Sequence, residues 1–477
     1  MTFTSFEFLL FFPAVVLVYN LCPQRFRVWF LLAVSYAFYA FMQPVYLLLL
    51  AAVTGITYGF TRWMGATGDD DKKHKIMVWG IILVLLPLFF FKYFNFVNES
   101  IFSLLALCGI ESTVPAIKWM LPVGISFYTF MAIGYLIDVN NEEVDVEKNI
   151  GAVGLFLSFF PYILSGPIER AGNMFPQLKK MPTSQPVDLT AGLKLMLWGY
   201  FMKLCVADRL GIYVDAVFGN IVHHNGTTLT LATLLYPIQV YADLGGYSLI
   251  AIGAARCMGL RIIPNFNRPF FATSMSELWR RWHMSLINWL TDYIYTPLSF
   301  ALRKWKVWGI VCALMLTFLI SGIWHGAAVT FIVWGLVQGV YLSIEALLQK
   351  RRSSMEAKHN LNKRWWYILV CCVLVYLLFA FSQIFGRCAT LSDAWLAVEK
   401  IIIERGTLFM DKTTLSHAFL MCLILFFRDF RDEFFPNKMK CFESQYIWIR
   451  FASYLIILLL IINMGVLDSG QFIYFQF

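Results

Sequence analysis

Two histidines carry the chemistry that this sequence could perform. His325 sits in Ser321-Gly322-Ile323-Trp324-His325-Gly326-Ala327-Ala328, between the apolar runs 307–320 and 329–348. His283 lies about forty residues upstream, in Trp279-Arg280-Arg281-Trp282-His283-Met284-Ser285. An ionisable side chain deep in apolar sequence is expensive to keep, so it invites a functional reading. Imidazole titrates near neutral pH and can take a proton from an incoming hydroxyl. The flanking glycines allow close approach of backbone or substrate. On the residues alone three uses stay open: a general base, a proton relay in a transporter, and a buried structural histidine. The other five histidines, His74, His223, His224, His359 and His417, fall in loops or at the edge of an apolar segment and read as solvated or interfacial.

Other chemistries lack their residues. There is no H-E-x-x-H and no Cys/His grid, so no metal site is expected. No phosphate-binding glycine loop and no G-x-S-x-G elbow occurs. The ten cysteines are scattered without a C-x-x-C, and read as inert core thiols.

The elements that must position the histidines are membrane spans. Of the 477 residues 59% are hydrophobic and 14% charged, and the mean hydropathy is +0.67. Soluble domains run about 45–50% apolar and about 25% charged. Chain length then predicts one bundle of roughly ten to twelve spans rather than two or three soluble domains. Apolar runs place spans at 8–21, 28–42, 45–60, 78–94, 118–138, 150–165, 191–218, 228–255, 306–320, 329–348, 365–385, 415–427 and 447–466. The first run has no basic leader and no cleavage site, so it reads as a retained span. Arg25 and Arg27, then Arg62, Lys72, Lys73 and Lys75, mark one side as cytoplasmic, as does the basic loop 350–364. The net charge of +9 therefore speaks for orientation and anionic lipid, not nucleic acid. The charged tract 68–73 reads as a solvated loop, and 95–117 as an outer loop with a short apolar piece at 101–109.

Three polar interruptions stand out. Ser165-Gly166-Pro167-Ile168-Glu169-Arg170 stops a helix, either at the membrane surface or beside a cavity. Asp243, before Gly245-Gly246-Tyr247-Ser248, should face the interior or a water-filled cavity. Leu278, Trp282, Leu286, Trp289 and Leu290 recur at helical spacing. They predict one amphipathic helix over 275–296, with Arg280, His283 and Asn288 off the apolar face. That helix either lies at the interface or dips inward and carries His283 to a central chamber.

Several of these segments together resemble the membrane-bound O-acyltransferases. The resemblance rests on Pro264-Asn265-Phe266-Asn267-Arg268-Pro269-Phe270, on 276–286 with its Trp279-Arg280-Arg281-Trp282-His283 core, on Asp292-Tyr293-Ile294-Tyr295-Thr296-Pro297-Leu298, and on Ser321-Gly322-Ile323-Trp324-His325-Gly326. Residues 122–130, 159–161 with 165–168, 245–248 and the terminal Phe472-Ile473-Tyr474-Phe475-Gln476-Phe477 fit the same family. The chain is most similar to its alginate O-acetyltransferase branch, and the central block also fits the branch that transfers D-alanine to lipoteichoic acid.

The resemblance implies an all-α polytopic bundle with re-entrant or interfacial helices around a central chamber. It implies one membrane-embedded domain over 1–477, with peripheral spans in 1–117, a catalytic core at 118–348 and C-terminal spans in 365–466. It implies transfer of an acyl group, from a cytoplasmic thioester such as acetyl-CoA, to a hydroxyl of an envelope or exported polysaccharide, directly or through a periplasmic acetyltransferase partner. His325 would be the general base and His283 would polarise the donor carbonyl. Arg280, Arg281, Trp282, Asn267, Asp243, Tyr247 and Trp324 would contact substrate, the two arginines as donors to phosphate. No bound cofactor is implied, and the expected place is the bacterial inner membrane.

Overall fold

Apolar runs of this length can satisfy their backbone in lipid by forming helices. The computed structural model describes residues 1–108, 115–116, 119–410, 412–436, 438 and 440–466, and these hold helices and no strand. The tail 472–477 lies outside the described residues. In order come α1 (Phe6–Leu21), α2 (Arg27–Met42), α3 (Leu47–Gly65), α4 (Asp70–Leu88), α5 (Phe94–Leu107), α6 (Ile125–Asn140) and α7 (Ile150–Ser158). Then follow α8 (Phe160–Ile163), α9 (Ala171–Lys180), α10 (Pro186–Tyr200), α11 (Asp208–Phe218), α12 (Gly226–Cys257), α13 (Met275–Arg281) and α14 (Met284–Leu290). Last are α15 (Thr296–Ala301), α16 (Val307–His325), α17 (Val329–His359), α18 (Trp365–Arg387), α19 (Leu391–Ile403), α20 (Lys412–Phe434) and α21 (Ile447–Met464). Among the described residues eight helices are long and apolar enough to cross a membrane, and three shorter apolar helices accompany them.

Contacts divide the chain into two units. The first comprises Met1–Leu193 and Ala251–Ile263. Here the charged tract 68–73 is not the expected loop. The Asp69 carboxylate accepts the backbone N–H of Asp71 and Lys72 at 3.0 and 3.2 Å, so the acidic run starts α4. Acidic side chains at a helix N-terminus satisfy its free donors and face its positive end. A second departure follows. The chain stays helical through a π-helical turn at Phe89–Tyr93 into α5, where an outer loop was expected from residue 95. Pro87 lies inside α4 just ahead of this turn, and a π-turn absorbs such a disturbance inside a continuing helix. The break at 165–170 is held by Glu169, which is 1% exposed. Its carboxylate accepts from the backbone of Arg170 (2.8 Å) and Ile263 (3.1 Å) and from the Asn173 amide (3.0 Å). It thus ties the segment around 263 to the start of α9.

The second unit comprises Lys194–Ile250 and Pro264–Phe477 and contains both histidines of interest. Helices α16 and α17 pack through facing glycines. A Cβ on Gly322 would stand 2.4 Å from the Phe331 carbonyl oxygen, and one on Gly335 2.3 Å from that of Phe318. Such small residues let helix backbones approach inside a membrane. Helix α17 then runs on to His359, so most of the expected basic loop 350–364 is helical, with Arg352 paired to Glu356 at 2.8 Å. The expected helix over 275–296 is broken in two. Helix α13 ends at Arg281, α14 starts at Met284, and His283 between them has left-handed backbone (φ 45°, ψ 49°). Leu278, Trp282, Leu286, Trp289 and Leu290 are all buried regardless, so the helical spacing concealed the break. His224, expected to be solvated or interfacial, is buried, its ring 4.6 Å from Phe409, whereas His223 is exposed.

Candidate active site

His325 is the last residue of α16. Its Nδ1 lies 2.7 Å from the carbonyl oxygen of Ser321, one turn back. A carbonyl can only accept, so in the neutral ring Nδ1 carries the proton and Nε2 presents the lone pair. Two buried indoles bracket the imidazole: Trp324 at 4.8 Å and Trp334 at 4.7 Å between centroids, steeply inclined at 86° and 62°. Trp334 precedes Gly335, so the glycine contact between α16 and α17 sets its distance from His325. Behind it stands Trp279, 5.9 Å away. The Trp279 Nε1–H donates to Gln338 Oε1 (3.3 Å), and Gln338 Nε2 donates to Ser382 Oγ (2.6 Å). A ring held by supporting side chains keeps its geometry without reorganisation.

His283 is 1% exposed and meets the same indole, its ring 6.2 Å from Trp324. The two histidines, separate in sequence, therefore share Trp324 as a neighbour. The His283 turn lies outside the eight candidate spans. Burial first, and the nearby His325 imidazole second, push its pKa down to about 3, so the ring is neutral at pH 7. Backbone bonds bracket the turn: Asn267 N–H donates to Arg281 O (2.9 Å) and Met284 N–H to Asn265 O (2.8 Å). A left-handed residue that is not glycine persists only where its surroundings hold it there, often at functional sites.

Two imidazoles beside one indole bring together groups able to exchange protons. Comparison with known proteins gives that site its family. The model of the membrane-bound O-acyltransferase family matches residues 149–403, which include both histidines. The probable alginate O-acetylase AlgI of Pseudomonas aeruginosa is 35% identical over 404 residues, covering 84% of this chain and 74% of that protein. The peptidoglycan O-acetyltransferase of Helicobacter pylori is 30% identical, covering 67% of this chain and 64% of that one. The teichoic acid D-alanyltransferase of Bacillus subtilis is 26% identical, covering 61% and 72%.

The chain belongs to the membrane-bound O-acyltransferase family. It is a multi-pass membrane O-acyltransferase, and the transporter reading falls.

In this acyltransferase the other candidate residues take distinct places. Trp324 is at the histidines. Trp282 is buried by packing on Phe379 (4.8 Å) and Phe266 (5.2 Å). Arg280 is exposed, while Arg281 is ion-paired to Glu277 (2.7 Å) and Glu433 (3.0 Å). Arg281 would have to release a carboxylate before it could take a phosphate. The Asn267 side chain is exposed, and its backbone amide holds the His283 turn. Asp243 and Tyr247 gather around a residue that sequence reasoning passed over, Lys203. Its Nζ lies 2.6 Å from Asp243, 2.7 Å from Asp208 and 5.3 Å from the centre of the Tyr247 ring. Lys203 sits in a π-helical stretch, Phe201–Ala207, and is 1% exposed. The signal was available, since a lysine amid Phe201, Met202, Leu204 and Cys205 breaks the same rule that singled out Asp243. Asn265 and Trp334 were also passed over. Asn265 stood in a quoted motif, but nothing in an apolar span marks a tryptophan such as Trp334 as special.

Proposed function

We propose that this acyltransferase moves an acetyl group from a cytoplasmic thioester, acetyl-CoA by class, to a hydroxyl of an envelope or exported polysaccharide in the bacterial inner membrane. The acceptor hydroxyl belongs either to the sugar or to a periplasmic partner transferase that passes the group on. The observation carrying this reading is the Ser321 carbonyl bound to His325 Nδ1. It commits Nδ1 as the donor, so in the neutral ring Nε2 carries the lone pair that acts as the base. Nε2 takes the proton from the acceptor hydroxyl as its oxygen attacks the thioester carbonyl carbon. Charge then gathers on the carbonyl oxygen. His283, neutral and buried, donates an N–H to it, which is worth most where water is excluded. The C–S bond breaks, and the thiolate leaves with the proton that His325 holds. The relatives named as alginate and peptidoglycan O-acetyltransferases support the acetyl and polysaccharide parts of the reading.

The test is a deletion strain complemented with wild type or His325→Ala, with envelope glycans analysed by mass spectrometry. His325→Ala should accumulate in membranes at the wild-type level and lower acyl transfer by about 10²–10⁴-fold, the range for a lost acid–base group. Full acylation by the variant would remove His325 from the mechanism. Loss of D-alanine rather than acetate from the deletion strain would replace the acetyl reading with the chemistry named for the Bacillus relative.

A further inference from the structure

We propose that Asn265 is a positioning residue that holds His283 in its left-handed turn. The proposal rests on the reading of His283 as part of the active site. Asn265 is 1% exposed, and its side-chain amide is used at both ends. Nδ2 donates to Ser248 Oγ on α12 at 3.0 Å. Oδ1 accepts from Ser285 Oγ at 2.9 Å and from the Ser285 backbone N–H at 3.4 Å. An N–H cannot accept, so the Ser285 backbone decides which end of the amide is the oxygen. The Asn265 carbonyl takes the Met284 N–H as well.

Both residues that follow His283 are therefore tied to one asparagine. On the other side the Asn267 N–H binds the Arg281 carbonyl, so Trp282 and His283 hang between two fixed ends. The backbone at φ 45° points the imidazole toward Trp324, where a regular helix over 275–296 would have aimed it elsewhere. Ser248 is itself 2% exposed and lies on the helix that Asp243 ties to Lys203. A buried amide with both ends bonded fixes direction as well as distance. Asn265 acts through His283 and does not touch the reacting atoms.

The test uses full-length protein in native membranes, with acyl transfer followed against donor concentration and the heat midpoint measured alongside. Asn265→Ala should lower kcat by about 10²-fold with the donor KM nearly unchanged, since a small misplacement of a catalytic group costs that much. Asn265→Asp keeps the oxygen that Ser285 uses and should recover most of the rate. Ser248→Ala removes a buried bond of the same kind on the far side of the amide. It should lower the heat midpoint as much as Ser285→Ala does but spare the rate. If Asn265→Ala does not fold, Ser285→Ala carries the same expectation through the shared oxygen. In a His283→Asn background, which tolerates the left-handed turn, Asn265→Ala should cost little further rate. Equal rate losses in Ser248→Ala and Ser285→Ala, no rescue by Asn265→Asp, or fully additive losses with His283→Asn would each reduce Asn265 to a structural residue. Full activity in His283→Asn alone would instead remove the active-site reading beneath the proposal.

Discussion

Two buried polar clusters within the second unit solve the same problem in opposite ways. Around Lys203, one ammonium and two carboxylates neutralise each other at 2.6 and 2.7 Å, with the Tyr247 ring beside them. Around His325, two imidazoles lie among tryptophans, and one of their ring nitrogens is committed to a backbone carbonyl. The first cluster is charged and paired. Taking or losing a proton there means breaking a bridge in a medium that punishes an orphaned charge. The second can stay neutral at rest and pick up a proton for the length of a reaction. An ionisable residue deep in apolar sequence is therefore no single signal. On the proposed reading, what separates structure from chemistry is whether the group is a paired charge or a neutral ring.

The strongest way to break this comparison is to unbalance the first cluster. Lys203→Met leaves Asp208 and Asp243 facing each other without their cation, and should cost about 3–5 kcal/mol, as removal of one partner from a buried pair does. Little folded protein should reach the membrane. Lys203→Met combined with Asp208→Asn and Asp243→Asn removes the charges together and should restore the heat midpoint and most of the activity. If the triple variant folds but is inactive, the lysine cluster takes part in chemistry and the contrast with the histidines fails.

How much of this could be read beforehand follows the same physics. Eight of the expected spans were legible because a membrane demands long apolar helices. The two histidines were legible because they violate that demand. The start of α4 was not, since Asp69 to Asp71 look alike whether they float in solvent or cap a helix. Nor was the break at His283. Leu278, Trp282, Leu286, Trp289 and Leu290 keep helical spacing through it, and the break is imposed by backbone bonds to 265–267, which lie distant in sequence. Lys203 was legible and was passed over. Trp334 was not legible, because only its 4.7 Å approach to His325 distinguishes it from the other aromatic residues of the spans.

A gentler probe sharpens the second cluster alone. Gly335→Ala puts a methyl group 2.3 Å from the Phe318 carbonyl oxygen, which forces α16 and α17 apart. Overpacking of this kind costs about 1–3 kcal/mol. The neighbouring Trp334 moves with its helix, so the rate should fall further than the heat midpoint suggests. The substitution Val340→Ala, at an exposed position on the same helix, should change neither. A Gly335→Ala protein with a lowered midpoint and an unchanged rate would show that the indole bracket does not hold His325.

The smallest expected effect concerns the protonation state on which the contrast depends. The ordinary imidazole pKa of 6.5 falls to about 3 at His283 in the folded chain. Above the ordinary value neither state binds the proton, and the shift costs nothing. Below it the unfolded chain takes up a proton that the folded chain refuses, so stability falls as pH drops, until the folded value is reached. Between pH 7 and pH 5.5 the loss from this group is about 1 kcal/mol. His283→Asn has no such proton to refuse and keeps the left-handed turn. Its heat midpoint should therefore gain on wild type as pH is lowered across that interval, whatever the offset at pH 7. A constant gap would mean that His283 carries a charge when folded. The two clusters would then differ in residue type but not in principle, and the neutral donor assigned to His283 would have to be given up.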